Sequence, residues 1–199
     1  FGGKSPGQAT VTATQVNTAN LRETFDYTAA EFGVTDPEFE DYTFRSTRNS
    51  VALRRNYNLA FAYSQKLGFL PKPLNGTSFN VSYNRAYMTA RRNGLAPHRI
   101  SSRLSYAYQK FNGNVGMVWI DNRPDGIVGR YRRELTQFDL SASWTFTPRY
   151  RAYVQARNFT GRPDIWMESP AGVKEGRDAA VRIMQEYGSR WVFGLAGRF

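Results

Sequence analysis

Arginine carries most of the recognition chemistry in this chain. Arg91, Arg92, Arg123, Arg130, Arg132 and Arg133 stand in or beside stretches rich in turn residues, together with His98 and Trp166. A guanidinium presents a flat fork of donors that matches a carboxylate or a phosphate two bonds at a time. The alternative for each is a solvated charge on a connection, the ordinary state of most loop residues. Other chemistry is thinly provided. There is one histidine and no cysteine, so no thiolate metal site or disulfide framework can form. Metal sites need several ligands together, so His98 alone predicts no metal. Ser and Asp recur on polar strand faces, but no Gly-x-Ser-x-Gly elbow is present. Glu38 and Glu40 sit in an acidic stretch, 31–41, that reads as a solvated loop rather than acid–base machinery. The expectation is no catalytic residue, no metal and no cofactor.

The elements that must hold these residues alternate with a period of two. In LTQFDLSASWTF, 135–146, Phe138, Leu140, Ala142, Trp144 and Phe146 share one face, and Asp139, Ser141, Ser143 and Thr145 the other. RYRAYVQARNF, 149–159, alternates in the same way after the Pro148 turn. Strands are also predicted over 9–25, 50–67, 77–90, 99–109 and 114–122, with a turn on Asn112-Gly113, and a closing strand reaches the last residue. That makes about eight. Long connections fall near 26–48, 91–98, 121–133 and 160–188, short ones at 68–76, 110–114 and 147–149. Within 175–187, Ala180, Ile183, Met184 and Tyr187 recur at helical spacing, which predicts a short helix; an early start of the last strand is the other reading. No repeat or composition shift divides the chain, so 1–199 reads as a single domain.

Composition sets the class. The 199 residues are 41% hydrophobic, 15% aromatic and 22% charged, which argues against disorder. Mean hydropathy is −0.57, and no apolar run approaches the ~20 residues of a spanning helix. An alternating membrane β-barrel passes that filter, because its average hydropathy stays low. A net charge of +11 suggests nucleic acid, but the charges are spread along alternating strands with no basic helix, so no nucleic-acid partner is expected. The predicted fold is all-β: an antiparallel transmembrane β-barrel, with Tyr87, Tyr106, Tyr108, Trp119 and Trp144 as candidates for interfacial girdles. A sheet packing one face on a soluble core would also alternate.

The last residues, WVFGLAGRF, resemble the C-terminal signal of bacterial outer-membrane proteins, matched at Trp191, Phe193, Leu195 and Phe199, with Gly197 where a large apolar residue is common. The resemblance implies that the barrel assembly machinery reads this segment. RAYVQARNFTGRPDIWM, with Asn158 near the strand exit, EYGSRWVFGLAGRF and NLAFAYSQKLGFLPKPLNGTSFNVSYNRAY are similar to the C-terminal strands of TonB-dependent receptors, over roughly residues 50–199. Barrels of that kind close about 22 strands around a plugged lumen. The resemblance therefore implies a fragment, the C-terminal part of a larger barrel. The plug domain and the segment that engages the energy-coupling TonB complex would lie outside these residues. It further implies energy-dependent uptake of a large scarce ligand, such as an iron chelate, a cobalamin or a glycan, across the bacterial outer membrane. Arg91, Arg92, His98, Arg123, Arg130, Arg132, Arg133 and Trp166 are then candidate contacts to ligand or lipopolysaccharide. A stand-alone eight-stranded outer-membrane barrel with an anchoring role is the alternative; it requires segment 9–25 to pair with 190–199. An enzyme on a barrel is the third class, and the lone His98 argues against it.

Overall fold

A computed structural model describes residues 7–18, 22–49, 54–88, 95–125, 129–169 and 179–197. The described residues form fourteen strands: β1 Gln8–Thr18, β2 Arg22–Thr28, β3 Thr43–Asn49, β4 Arg54–Lys66, β5 Thr77–Met88, β6 His98–Tyr108, β7 Phe111–Ile120, β8 Arg123–Pro124, β9 Arg130–Arg132, β10 Leu135–Thr147, β11 Tyr150–Arg157, β12 Asp164–Glu168, β13 Ala180–Gln185 and β14 Arg190–Gly197. The protein is all-β, with antiparallel pairing of β2 with β3, through β5-β6-β7-β10-β11-β14, and through β8-β9-β12-β13. The eight long amphipathic segments build one sheet in the order β1-β4-β5-β6-β7-β10-β11-β14. Its end strands β1 and β14 are not neighbours, so the sheet is not closed among the described residues.

The chain divides into two compact units. The first holds most of the large sheet together with a smaller one, β13-β12-β9-β8. The second, 15–57 with 88–90, contains the β2–β3 hairpin and its tip. At that tip a four-residue helix, α1 Ala29–Phe32, starts in a capping box. The Thr28 side chain accepts from the Glu31 N–H at 3.3 Å, and the Glu31 carboxylate accepts from the Thr28 N–H at 2.9 Å. Gly33, at φ 87, closes the turn in the left-handed region.

Three sequence expectations need correction. The predicted helix over 175–187 is not formed where it is described: Ala180–Gln185 is β13. Ile183 pairs with Trp166 and Met184 with Ile165, so the open edge of β12 supplies a partner, and pairing outweighs a weak helical period. The turn placed on Asn112-Gly113 lies three residues earlier, at Gln109-Lys110, where Gln109 adopts φ 52. Asn112 and Gly113 instead pair within the sheet, and a Cβ at Gly113 would press on the Phe111 ring at 3.1 Å. The segment 9–25 is not one strand either; β1 ends at Thr18 and β2 begins at Arg22. The long connections also carry strands that their turn-rich composition hides: β2, β3, β8, β9, β12 and β13.

Connections sort by sheet end less sharply than the sequence suggests. The turns 109–110 and 148–149 are two residues each, but 67–76 has ten, against nine for 89–97 on the other end. That ten-residue connection is held close to its neighbour: a side chain at Gly76 would run into the Ala107 carbonyl. Two further connections, 121–134 and 158–189, are long enough to fold into the smaller sheet, and 19–53 carries the β2–β3 hairpin.

Candidate functional site

Cross-strand register assigns each side chain of the large sheet to a face, because residues directly opposite share one. Phe193 pairs with Val154, Val154 with Ala142, Ala142 with Gly113, Gly113 with Tyr106 and Tyr106 with Thr77. Six residues along, Trp119 pairs with Ile100 and Ile100 with Tyr83. The resulting face runs across six strands and is mostly apolar in its middle, where Phe79, Leu104, Val115 and Leu140 lie in one row and Val81, Ser102, Met117 and Phe138 in the next. None of these residues is buried, although Ala156, opposite Leu140 on the same face, is. Leu104 is 48% exposed, Trp144 49%, Phe193 72% and Leu195 80%. Among the described residues the buried hydrophobics are Ala29, Tyr131 and Ala156, and no large side chain is fully buried. A water-soluble sheet would hide this face in a core.

Aromatic rings concentrate at both ends of that face. Near the two-residue turns, Tyr108, Tyr106, Phe111 and Trp144 form a chain with centroids 6.0–6.5 Å apart. Near the other end stand Tyr83, Tyr87 and Trp119, with Phe138 against Phe159 at 6.0 Å. Phe111 and Trp119 mark the two bands on β7. Their eight-residue separation is about 27 Å of strand, or roughly 20 Å of height at a tilt of about 40°.

The opposite face is polar and hollowed. One open hollow of 700 Å³ is lined by Ser78, Ser105, Asn114, Ser143 and Arg151, with Tyr153 lying over Gly194. A second, of 490 Å³, is lined by Thr10, Ser64, Asn80, Ser82 and Arg103. Ser82 and Ser101 share a 2.7 Å hydrogen bond there, and Asn114 donates to Ser141 at 2.6 Å. At the rim of this face the Asp139 carboxylate accepts from the Asn158 N–H at 2.9 Å. Asn158 takes φ 48, and its amide donates to the carbonyls of Arg162 at 2.9 Å and Gly188 at 3.3 Å. One residue at the exit of β11 thus ties the start of the connection 158–189 to its end.

The predicted contact arginines divide. Arg123, Arg130 and Arg132 meet in the smaller sheet, each on a carboxylate that composition alone does not single out. Asp164 accepts from Arg123 at 3.1 Å and from Arg132 at 3.4 Å; Glu168 accepts from Arg130 at 2.8 Å and stands 3.4 Å from Arg182. Register places these partners, with Arg132 opposite both Arg123 and Trp166, and Arg130 opposite Glu168. The Arg132 guanidinium lies 4.0 Å over the Trp166 ring. Burial lowers the Arg123 pKa, the Asp164 charge acts to raise it, and the neighbouring Arg132 lowers it again. Arg123 Nε and Trp166 Nε1 are buried without a hydrogen-bond partner among the described residues. Arg133 lines a separate 220 Å³ hollow with Tyr131 and Met167, and its N–H donates to the Ile165 carbonyl at 2.8 Å.

His98 is elsewhere, on the apolar face of β6, 2.7 Å through Nδ1 from the Tyr83 hydroxyl. Trp191, Phe193 and Leu195 occupy that same face of β14. Arg91, Arg92 and Phe199 lie outside the described residues. No group of three or more potential metal ligands occurs among the described residues. Sequence reasoning missed Asp164, Glu168 and Arg85, which faces His98 across β5–β6. The recurring Asp/Glu opposite Arg in short turn-bounded runs was the available signal. No family model, curated protein or solved structure matches the chain.

Proposed function

We propose that the large sheet is a section of the wall of a transmembrane β-barrel in a bacterial outer membrane, and that the protein is a TonB-dependent receptor importing a large scarce ligand. The observation that carries the reading is the exposed apolar face bounded by two aromatic bands, backed by a polar, hollowed face. Hydrocarbon makes such an exposed face favourable, at about 25 cal/mol for each Å² of apolar surface taken from water. The aromatic bands match the interfacial girdles of membrane barrels, and their spacing is close to the apolar band of about 25 Å in such proteins. The polar face suits a lumen. Separate end strands β1 and β14 favour a section of a larger barrel over a stand-alone eight-stranded one, since exposed edges in lipid leave backbone groups unpaired. In this reading the smaller sheet and the hairpin belong to the external connections, and Asp164 and Glu168 hold Arg123, Arg130 and Arg132 in place. The terminal segment with Trp191, Phe193 and Leu195 serves assembly, and the TonB complex engages a region outside this chain.

Two measurements test this. Native protein reconstituted in vesicles with brominated acyl chains, as single-tryptophan variants, should show strong quenching of Trp119, Trp144 and Trp191 and little of Trp166. Equal quenching at all four, or at none, overturns the lipid-facing assignment. Cells lacking the protein should lose energy-dependent uptake of one large ligand among iron chelates, cobalamins and glycans. Unchanged uptake across those classes removes the transport reading while leaving the barrel intact.

A further inference from the structure

The apolar face carries basic groups at one place. Within the first unit, its basic residues among the described strands are Arg85 and His98, and they are directly opposite one another on β5 and β6. No aspartate or glutamate stands on this face in the six strands β5, β6, β7, β10, β11 and β14; Asp139, the acidic residue within β10, points its carboxylate to Asn158 on the other side. A cation on a lipid-facing surface is costly near the bilayer centre and is tolerated where headgroups begin. Position along the strands therefore matters. The Tyr83–Ile100–Trp119 row forms the aromatic band at the long-connection end. Arg85 and His98 are the next pair on the same face, two residues or about 7 Å further out.

Both side chains are held. The Arg85 guanidinium carbon lies 4.2 Å above the Tyr87 ring, which keeps the flat fork against an interfacial aromatic and its N–H edges free of the ring face. The His98 ring stacks on Tyr83 at 6.0 Å and 21°, and the Tyr83 hydroxyl is 2.7 Å from Nδ1. When that hydroxyl donates to Nδ1, the ring proton sits on Nε2, which becomes the outward donor.

We propose that Arg85 and His98 form a docking point for the phosphate of a membrane lipid headgroup, with Tyr83 and Tyr87 as the residues that position them. The inference rests on the lipid-facing reading of this surface. Charge complementarity selects the occupant: two donors at a depth just beyond the aromatic band, with no ion pair to a carboxylate among the described residues; Asp121, whose N–H donates to the His98 carbonyl at 3.0 Å, turns its own carboxylate to the Asn122 N–H at 2.7 Å. Arg85 supplies a forked, charge-assisted contact and His98 a single hydrogen bond.

The test uses the native chain in uncharged maltoside micelles, read by native mass spectrometry. The probes are dioleoyl phosphatidic acid, dioleoylglycerol and inorganic phosphate. Phosphatidic acid should be retained, and dioleoylglycerol should not. Arg85→Gln should raise the half-saturating lipid concentration about tenfold and His98→Gln about threefold. Arg85→Lys should recover part of the loss, which separates charge from folding, and Arg157→Gln on the other face should change nothing. Equal retention of dioleoylglycerol, or unchanged binding in Arg85→Gln, overturns the proposal. Saturation by inorganic phosphate at the same concentration makes this a small-anion site and also overturns it. Failure of the membrane reading has a different signature: the chain would stay dispersed when the detergent is removed.

Discussion

At Asp164 two guanidiniums share one carboxylate whose side chain is 13% exposed, and this makes the residue a strong point of the smaller sheet. Donors from both Arg123 and Arg132 offset the cost of holding this carboxylate nearly out of water. Asp164→Asn preserves shape and removes the charge, so two positive groups are left facing a neutral amide. The neutral amide still accepts one hydrogen bond, so the loss is about that of one bond to a charged group, about 2 kcal/mol, and the variant should speed hydrogen exchange of β9 and β12 amides roughly 30-fold. Exchange in β6 and β7 should not change. Hydrogen–deuterium exchange of the native protein checks both statements, and uniform acceleration would show that Asp164 supports more than its own sheet.

The hairpin tip shows how an element depends on local chemistry. Its helix has one turn, too short to persist by hydrogen bonding alone, and so relies on its capping box. Glu31 has a lowered pKa, first because its carboxylate accepts from the Thr28 N–H and then because it accepts from the Thr28 hydroxyl. Asp26, paired with Arg45 at 2.7 Å on the same hairpin, is lowered too. A lowered carboxyl pKa stabilises the fold above its ordinary value, 4.5 for Glu31, and that contribution disappears as pH falls through the lower native value. The turn 28–33 should thus be constant from pH 7 to about 5 and loosen below about 4.5. Amide shifts of Thr28 and Gly33 by NMR would report it. Glu31→Gln should flatten that pH response at the turn while leaving the Asp26 response intact; an unaltered response in the variant would locate the titration elsewhere.

Across the whole molecule the two faces of the large sheet predict opposite tolerance. Leu104 sits mid-strand on the apolar face, and its neighbour Ser105 lines the polar hollow. Arginine at a lipid-facing midplane costs about 2–4 kcal/mol, whereas lumen positions accept charge. Leu104→Arg should lower stability by that amount in urea titrations of vesicle-inserted protein, and Ser105→Arg by less than about 1 kcal/mol. Equal effects would remove the distinction between the faces. The same distinction accounts for the near absence of buried side chains among the described residues: six neighbouring strands pair in register, with one irregularity between Thr145 and Thr147, and their apolar side chains lie on one face rather than in a closed core.

Period-two alternation in 77–90, 135–146 and 149–159 determined the strands and their two faces by itself, because opposite sides of a pleated strand meet different surroundings. It determined which residues would be apolar together, down to Trp191, Phe193 and Leu195. Tertiary structure decided what has no local signature. Neighbouring strand edges turned Ala180–Gln185 into a strand, and a left-handed Gln109 moved a turn away from Asn112-Gly113. Pairing across thirty or more residues joined Arg123, Arg130 and Arg132 to Asp164 and Glu168. Register set Arg85 beside His98, thirteen residues apart in the chain, as adjacent side chains on one face. Such placements depend on which edges meet, and edge pairing is a property of the assembled sheet that no single segment encodes.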